Sequence, residues 1–61
     1  MVRWKIYVGG KQRGNDYDSE KRAIQNGAVV ARSNKQVFVY KVVNGGGPKQ
    51  VAKWVNGDRI V

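Results

Sequence analysis

Apolar and polar residues alternate strictly at the start of the chain. Val2, Trp4, Ile6 and Val8 are interleaved with Arg3, Lys5 and Tyr7. A period of two predicts a strand with one apolar face and one basic face that carries an aromatic. Gly9-Gly10 predicts a turn. Residues 11–17 predict a short return strand, held to a sheet edge by their Gly and Asn content. The period then changes. Ala23, Ile24, Gly27, Ala28 and Ala31 share one face of a helix, with Lys21, Gln25 and Arg32 opposite. This stretch, residues 18–34, is the only one with a helical period, so it is the only cover available to a sheet. Asp18 and Ser19 both suit its N-cap, and Asp18 and Glu20 place negative charge at the positive end of its dipole.

Gly27 leaves two readings open. In a continuous helix it serves close approach to the sheet, so Leu should clash there while Ala is tolerated. Alternatively, Asn26-Gly27 ends the helix with a left-handed cap, and Ala28–Arg32 is a strand. Beyond it, residues 36–43 are β-branched and aromatic and predict a central strand. Asn44-Gly45-Gly46-Gly47-Pro48 predicts a turn, and residues 49–55 the partner strand of a hairpin. Asn56-Gly57-Asp58 turns again before a short final strand, Arg59-Ile60-Val61. With Trp4 and Ile6 facing the helix, Arg3, Lys5 and Tyr7 face away. The same division places Phe38, Tyr40, Val42, Ala52 and Trp54 inward and Lys41, Lys49 and Lys53 outward, an assignment that a one-residue slip would reverse. The expected fold is α+β: a three- or four-stranded, mostly antiparallel sheet with one helix packed on one face, in one domain over residues 1–61.

Sixty-one residues bury a small core, and with no cysteine there is no disulfide to reinforce it. No apolar run is long enough to span a membrane. The N-terminal residues do not read as a signal peptide, so the expected location is cytoplasmic. Twelve Lys and Arg against four Asp and Glu give a net charge of +8. So large a charge on so small a chain implies an acidic partner, either nucleic acid (DNA ahead of RNA) or an acidic protein, and opposes self-association beyond a weak homodimer.

The chain lacks histidine and cysteine, which excludes the common metal sites and the Ser-His and Cys-His nucleophile systems. Asp16, Asp18 and Glu20 lack the spacing of a calcium loop and read as helix-capping residues. The Gly45–Gly47 loop lacks the spacing of a phosphate loop and reads as a hairpin tip. No catalytic residue, metal ligand or cofactor is therefore expected. Trp4 and Trp54 read as core, whereas Tyr7, beside Arg3 and Lys5, reads as an exposed aromatic. The expected contact set is Arg3, Lys5, Tyr7, Lys41 and Lys53 on a sheet face, with Lys11, Arg13 and Lys49 from the loops, touching mainly phosphates. An outward face of Val37, Val39, Val43, Val51 and Val55 would instead favour a protein partner or a homodimer.

Trp4-x-Ile6-x-Val8, then Tyr17-Asp18-Ser19-x-x-x-Ala23-Ile24-x-x-Gly27-x-x-x-Ala31, then a valine-rich strand, resembles small bacterial and phage domains of unknown function. The resemblance implies a strand or hairpin, a helix and a closing hairpin. The first part also resembles the arm-binding domains of phage integrases, which implies reading of DNA by a sheet. Here two short strands precede the helix, in place of the three strands of that sheet.

Overall fold

The structure, a computed structural model, describes all of residues 1–61. It is α+β, with five strands rather than three or four. The elements run β1 (Val2–Val8), β2 (Lys11–Gln12), α1 (Glu20–Val30), β3 (Gln36–Val43), β4 (Lys49–Val55) and β5 (Asp58–Arg59). The sheet order is β2-β1-β3-β4-β5 and every pairing is antiparallel. Both edge strands are only two residues long: the return strand expected over residues 11–17 is confined to Lys11–Gln12, and the final strand is Asp58–Arg59 rather than residues 59–61. Each hangs on a two-residue turn. In the first, Gly9 and Gly10 have φ of 60° and 79°, the positive values that a hairpin turn matched to strand twist requires. After β2 the chain stays on the edge of β1: Trp4 and Tyr17 exchange backbone hydrogen bonds of 2.9 and 2.8 Å. This contact places Tyr17 against the core and delivers the chain to the helix.

The helix is continuous through Gly27. Of the two candidate caps, Ser19 is the one used: its side chain accepts from the backbone N–H of Arg22 at 3.5 Å. At the other end Ala31 closes the helix in a right-handed conformation, and the Asn34 amide donates to the Val30 carbonyl at 2.9 Å. Ala23, Gly27 and Ala31, spaced four residues apart, form the buried stripe. Ile24 packs beside it, whereas Ala28 is exposed. The helix crosses β1 and β3 and meets Trp54 of β4. A Cβ added to Gly27 would lie 2.8 Å from the Trp54 ring and 3.0 Å from a Val39 methyl. The expectation that Ala is tolerated there is corrected: the approach is too close for a single methyl.

The same crowding corrects the assignment of β3. Val37 and Val39 are fully buried under the helix, with Ala52, Trp54 and Ile6. Phe38, Tyr40 and Val42 point to the open face, the reverse of the expectation. Trp54 already fills the space beneath Gly27, and only short β-branched side chains fit beside it at native packing density. β4 keeps the expected inward pair, with Trp54 opposite Val37 and Ala52 opposite Val39, and the register shifts once beyond them. Val39 lies opposite Ala52 but Tyr40 lies opposite Gln50, which leaves Val51 as an extra, bulged residue. The valine-rich outer face is corrected as well, since Val37 and Val39 are core and Val51 packs against it.

Candidate functional site

A sheet with one helix leaves one face uncovered, and what stands on that face follows from the register. Tyr7 lies opposite Phe38, and Phe38 opposite Lys53; one step along, Lys5 lies opposite Tyr40, and Tyr40 opposite Gln50. Arg3 lies opposite Val42. Three aromatic rings thus occupy the middle of the open face with cations on either side.

The rings form one cluster. Tyr7 and Tyr40 meet edge to face at 5.5 Å between centroids. Phe38 and Tyr40, two residues apart on β3, lie at 6.2 Å with planes only 21° apart. All three are half-buried. The Lys53 ammonium stands 5.2 Å from the Phe38 ring centroid, a cation–π distance. Beside Tyr40 the surface dips into a hollow of about 520 Å³ lined by Lys5, Tyr7, Tyr40, Val42 and Pro48. It is therefore mostly apolar and aromatic, with Lys5 and the two tyrosines as the residues that carry polar groups.

The candidate residues divide between the two sides of the sheet. Arg3, Lys5, Tyr7 and Lys53 share the open face. Lys41 does not: it is opposite Trp4, and its ammonium lies 5.9 Å from the Trp4 ring on the helix side. Lys49 is opposite Lys41 and joins it there. Lys11, opposite Val8, also falls on the helix side at the tip of the first hairpin. Arg13 lies on the irregular edge segment, held by a 2.7 Å bond from its N–H to the Ile6 carbonyl. Like charges directly across a ladder are destabilising, so the Lys41–Lys49 pair is a local concentration of charge, offset at Lys41 only by its place over the Trp4 ring. Phe38, Tyr40, Val42 and Gln50 are open-face residues that sequence reasoning missed. The signal available for Tyr40 is its hydroxyl, which needs water or a partner and so favours the wet side.

Electrostatically the surface is almost uncompensated. The one ion pair joins Lys5 to Asp16 at 3.3 Å. Asp16 also accepts from the Gln12 side-chain amide at 2.7 Å. The Gln12 hydrogen bond, aided by Lys5 and by the charge of Arg3, holds the Asp16 carboxyl below its ordinary value. On the helix side Arg59 lies 5.9 Å from the Trp54 ring. No group of three acidic side chains is placed to hold a metal ion, and no helix is long and apolar enough to cross a membrane. Comparison of the chain with known protein families, curated proteins and solved structures gives no match.

Proposed function

We infer that the chain is a non-enzymatic nucleic-acid-binding protein that makes its contacts from the open sheet face, mainly to phosphates. The observation that carries this reading is the juxtaposition of Arg3, Lys5 and Lys53 with an uncovered aromatic cluster, in a chain of net charge +8. Cations set around a surface that a polyanion can lie across supply the sequence-independent part of nucleic-acid affinity, through counterion release. Lys11, Arg13, Lys41 and Lys49 lie off the face and extend the positive field around its rim rather than adding to the platform.

The test is fluorescence anisotropy with a labelled oligonucleotide at several salt concentrations. Affinity should fall steeply with salt, and each phosphate-contacting residue removed should lower the log–log slope by roughly one. Lys5→Glu with Lys53→Glu should nearly abolish binding, whereas Lys21→Glu with Arg22→Glu, on the helix, should weaken it less. Equal losses from the two pairs would mean that the charge acts diffusely and the face has no special role. Failure to bind any nucleic acid at about 50 mM salt, where electrostatic binding is strong, would transfer the reading to an acidic protein partner.

A further inference from the structure

The positive charge alone would serve a duplex as well as a single strand, but the aromatic cluster would not. A duplex keeps its bases stacked on one another and presents only grooves and backbone to a sheet face; aromatic rings exposed on that face have nothing in a duplex to stack on. An unpaired strand exposes base faces. Phe38 and Tyr40 have nearly parallel planes and centroids 6.2 Å apart on one strand, so two neighbouring bases laid on them would lie roughly parallel as well. Lys5 and Lys53 flank this pair from β1 and β4, where the backbone of such a strand would run. The hollow beside Tyr40 offers Val42, Pro48 and Tyr7 to whatever covers that ring.

Resting on the nucleic-acid reading above, we propose that the open face is a stacking platform for an unpaired nucleic-acid strand, with Tyr40 and Phe38 under consecutive bases and Lys5 and Lys53 on the phosphates. Tyr7 is a positioning residue: its edge-to-face contact at 5.5 Å holds the Tyr40 ring in place. Little preference among bases is expected, because every base has a face to stack. The charge and the rings contribute separable effects. Removing a cation changes the salt dependence, while removing a ring lowers affinity at every salt concentration by the same factor.

The experiment uses a labelled oligo-dU, the oligo-U of equal length, and a mixed-sequence duplex with its own separated strands. Each is titrated by anisotropy with the wild-type protein and with Tyr40→Leu and Phe38→Leu, and each variant's fold is checked by thermal melting. The proposal expects the separated strands to bind at least about tenfold tighter than the duplex, and oligo-dU and oligo-U to bind within a few-fold of each other, since both offer the same base faces. Tyr40→Leu should weaken strand binding by roughly 5- to 150-fold with an unchanged salt slope and unchanged duplex binding. Should Tyr40→Leu fail to fold, Phe38→Leu and the strand-to-duplex ratio decide the matter. Equal affinity for strand and duplex would overturn the platform while leaving the electrostatic reading intact. A large preference for either sugar would overturn base stacking as the source of the affinity. Binding to none of the four would remove the nucleic-acid reading itself.

Discussion

The two faces of this sheet carry opposite kinds of side chain. Under the helix stand Val37, Val39, Ala52 and Ile6, with one large ring, Trp54, pressed against a glycine. On the other side stand Tyr7, Phe38 and Tyr40, half exposed among Arg3, Lys5 and Lys53. A protein short of core would be expected to bury its aromatics, since each can remove 150–250 Å² or so from water. Here three rings are left on the uncovered face, while the covered face holds Trp54 among valine and alanine, with Trp4 and Tyr17 half-buried against them. The difference teaches that the helix is fitted closely over one ring. Gly27 brings the backbone so near to Trp54 that even a methyl there would meet the indole. The cluster on the far side is thus available for something other than folding.

This contrast can be broken by mutation, most severely at its tightest point. Trp54→Ala should cost about 3–5 kcal/mol, against a total of roughly 3–9 kcal/mol for a chain of this size at the usual stability per residue. Urea or thermal unfolding should find it largely unfolded. Tyr40→Ala on the open face should cost much less in the same assay, and equal costs would mean that both faces are core. Next comes Gly27. Filling it with Ala removes the interior-glycine penalty of about 1 kcal/mol but forces a methyl to within 2.8 Å of Trp54, an overpacking cost of about 1–3 kcal/mol. The net effect should be destabilising, and Gly27→Leu worse. A Gly27→Ala protein that melts higher than wild type would contradict the close approach.

Smaller effects sharpen the comparison. Ser19→Ala should lower stability by about 0.5–1 kcal/mol, the lower part of the range for an N-cap, given its 3.5 Å bond. It should leave nucleic-acid affinity unchanged, because the cap serves only the covered side. Asp16→Asn should do the reverse. The Asp16 carboxyl is held below its ordinary value in the folded state, chiefly by Gln12 and then by Lys5. Its contribution to stability is therefore present above the unfolded value near 3.8 and is lost as the pH falls through the lower folded value. The variant should show a slightly flatter stability profile in that acid range and nearly wild-type stability at pH 7. Because Asp16 neutralises Lys5 at 3.3 Å, its removal should also raise affinity for nucleic acid. Unchanged or weaker binding would mean that Lys5 does not touch phosphate.

How much of this was legible in the sequence varies by element. β1 could be read in full, because Arg3, Lys5 and Tyr7 alternate with Val2, Trp4, Ile6 and Val8 and only one face is apolar. The helix and its small stripe were readable in part, because Gly27 left its continuity open and Ala28, expected on the buried face, is exposed; the inward pair Ala52 and Trp54 was assigned correctly, but on a register that a one-residue slip would have reversed. β3 was not, because Val37–Tyr40 is apolar on both faces and periodicity cannot choose between them. The choice is made by volume beneath Gly27, a property of the assembled layers. The bulge at Val51 adds a second ambiguity, since it moves Lys49 to the helix side while leaving Lys53 on the open one. The candidate site suffered accordingly. Its β1 residues and Lys53 come together, Lys41 and Lys49 leave it, and two of its three rings were assigned to the core. The two-residue edge strands fall below the length at which alternation carries any signal.

The division of labour between the faces is tested most directly by side-chain NMR, titrating labelled protein with an unlabelled oligo-dU strand. The aromatic resonances of Tyr7, Phe38 and Tyr40 and the methyls of Val42 and Val55 should shift together and saturate at one affinity. The methyls of Val37, Val39, Ala23 and Ala31 should stay nearly still. Shifts concentrated instead on Ala28 and Val29 of the helix, with the three open-face rings unmoved, would contradict the assignment of binding to the uncovered face.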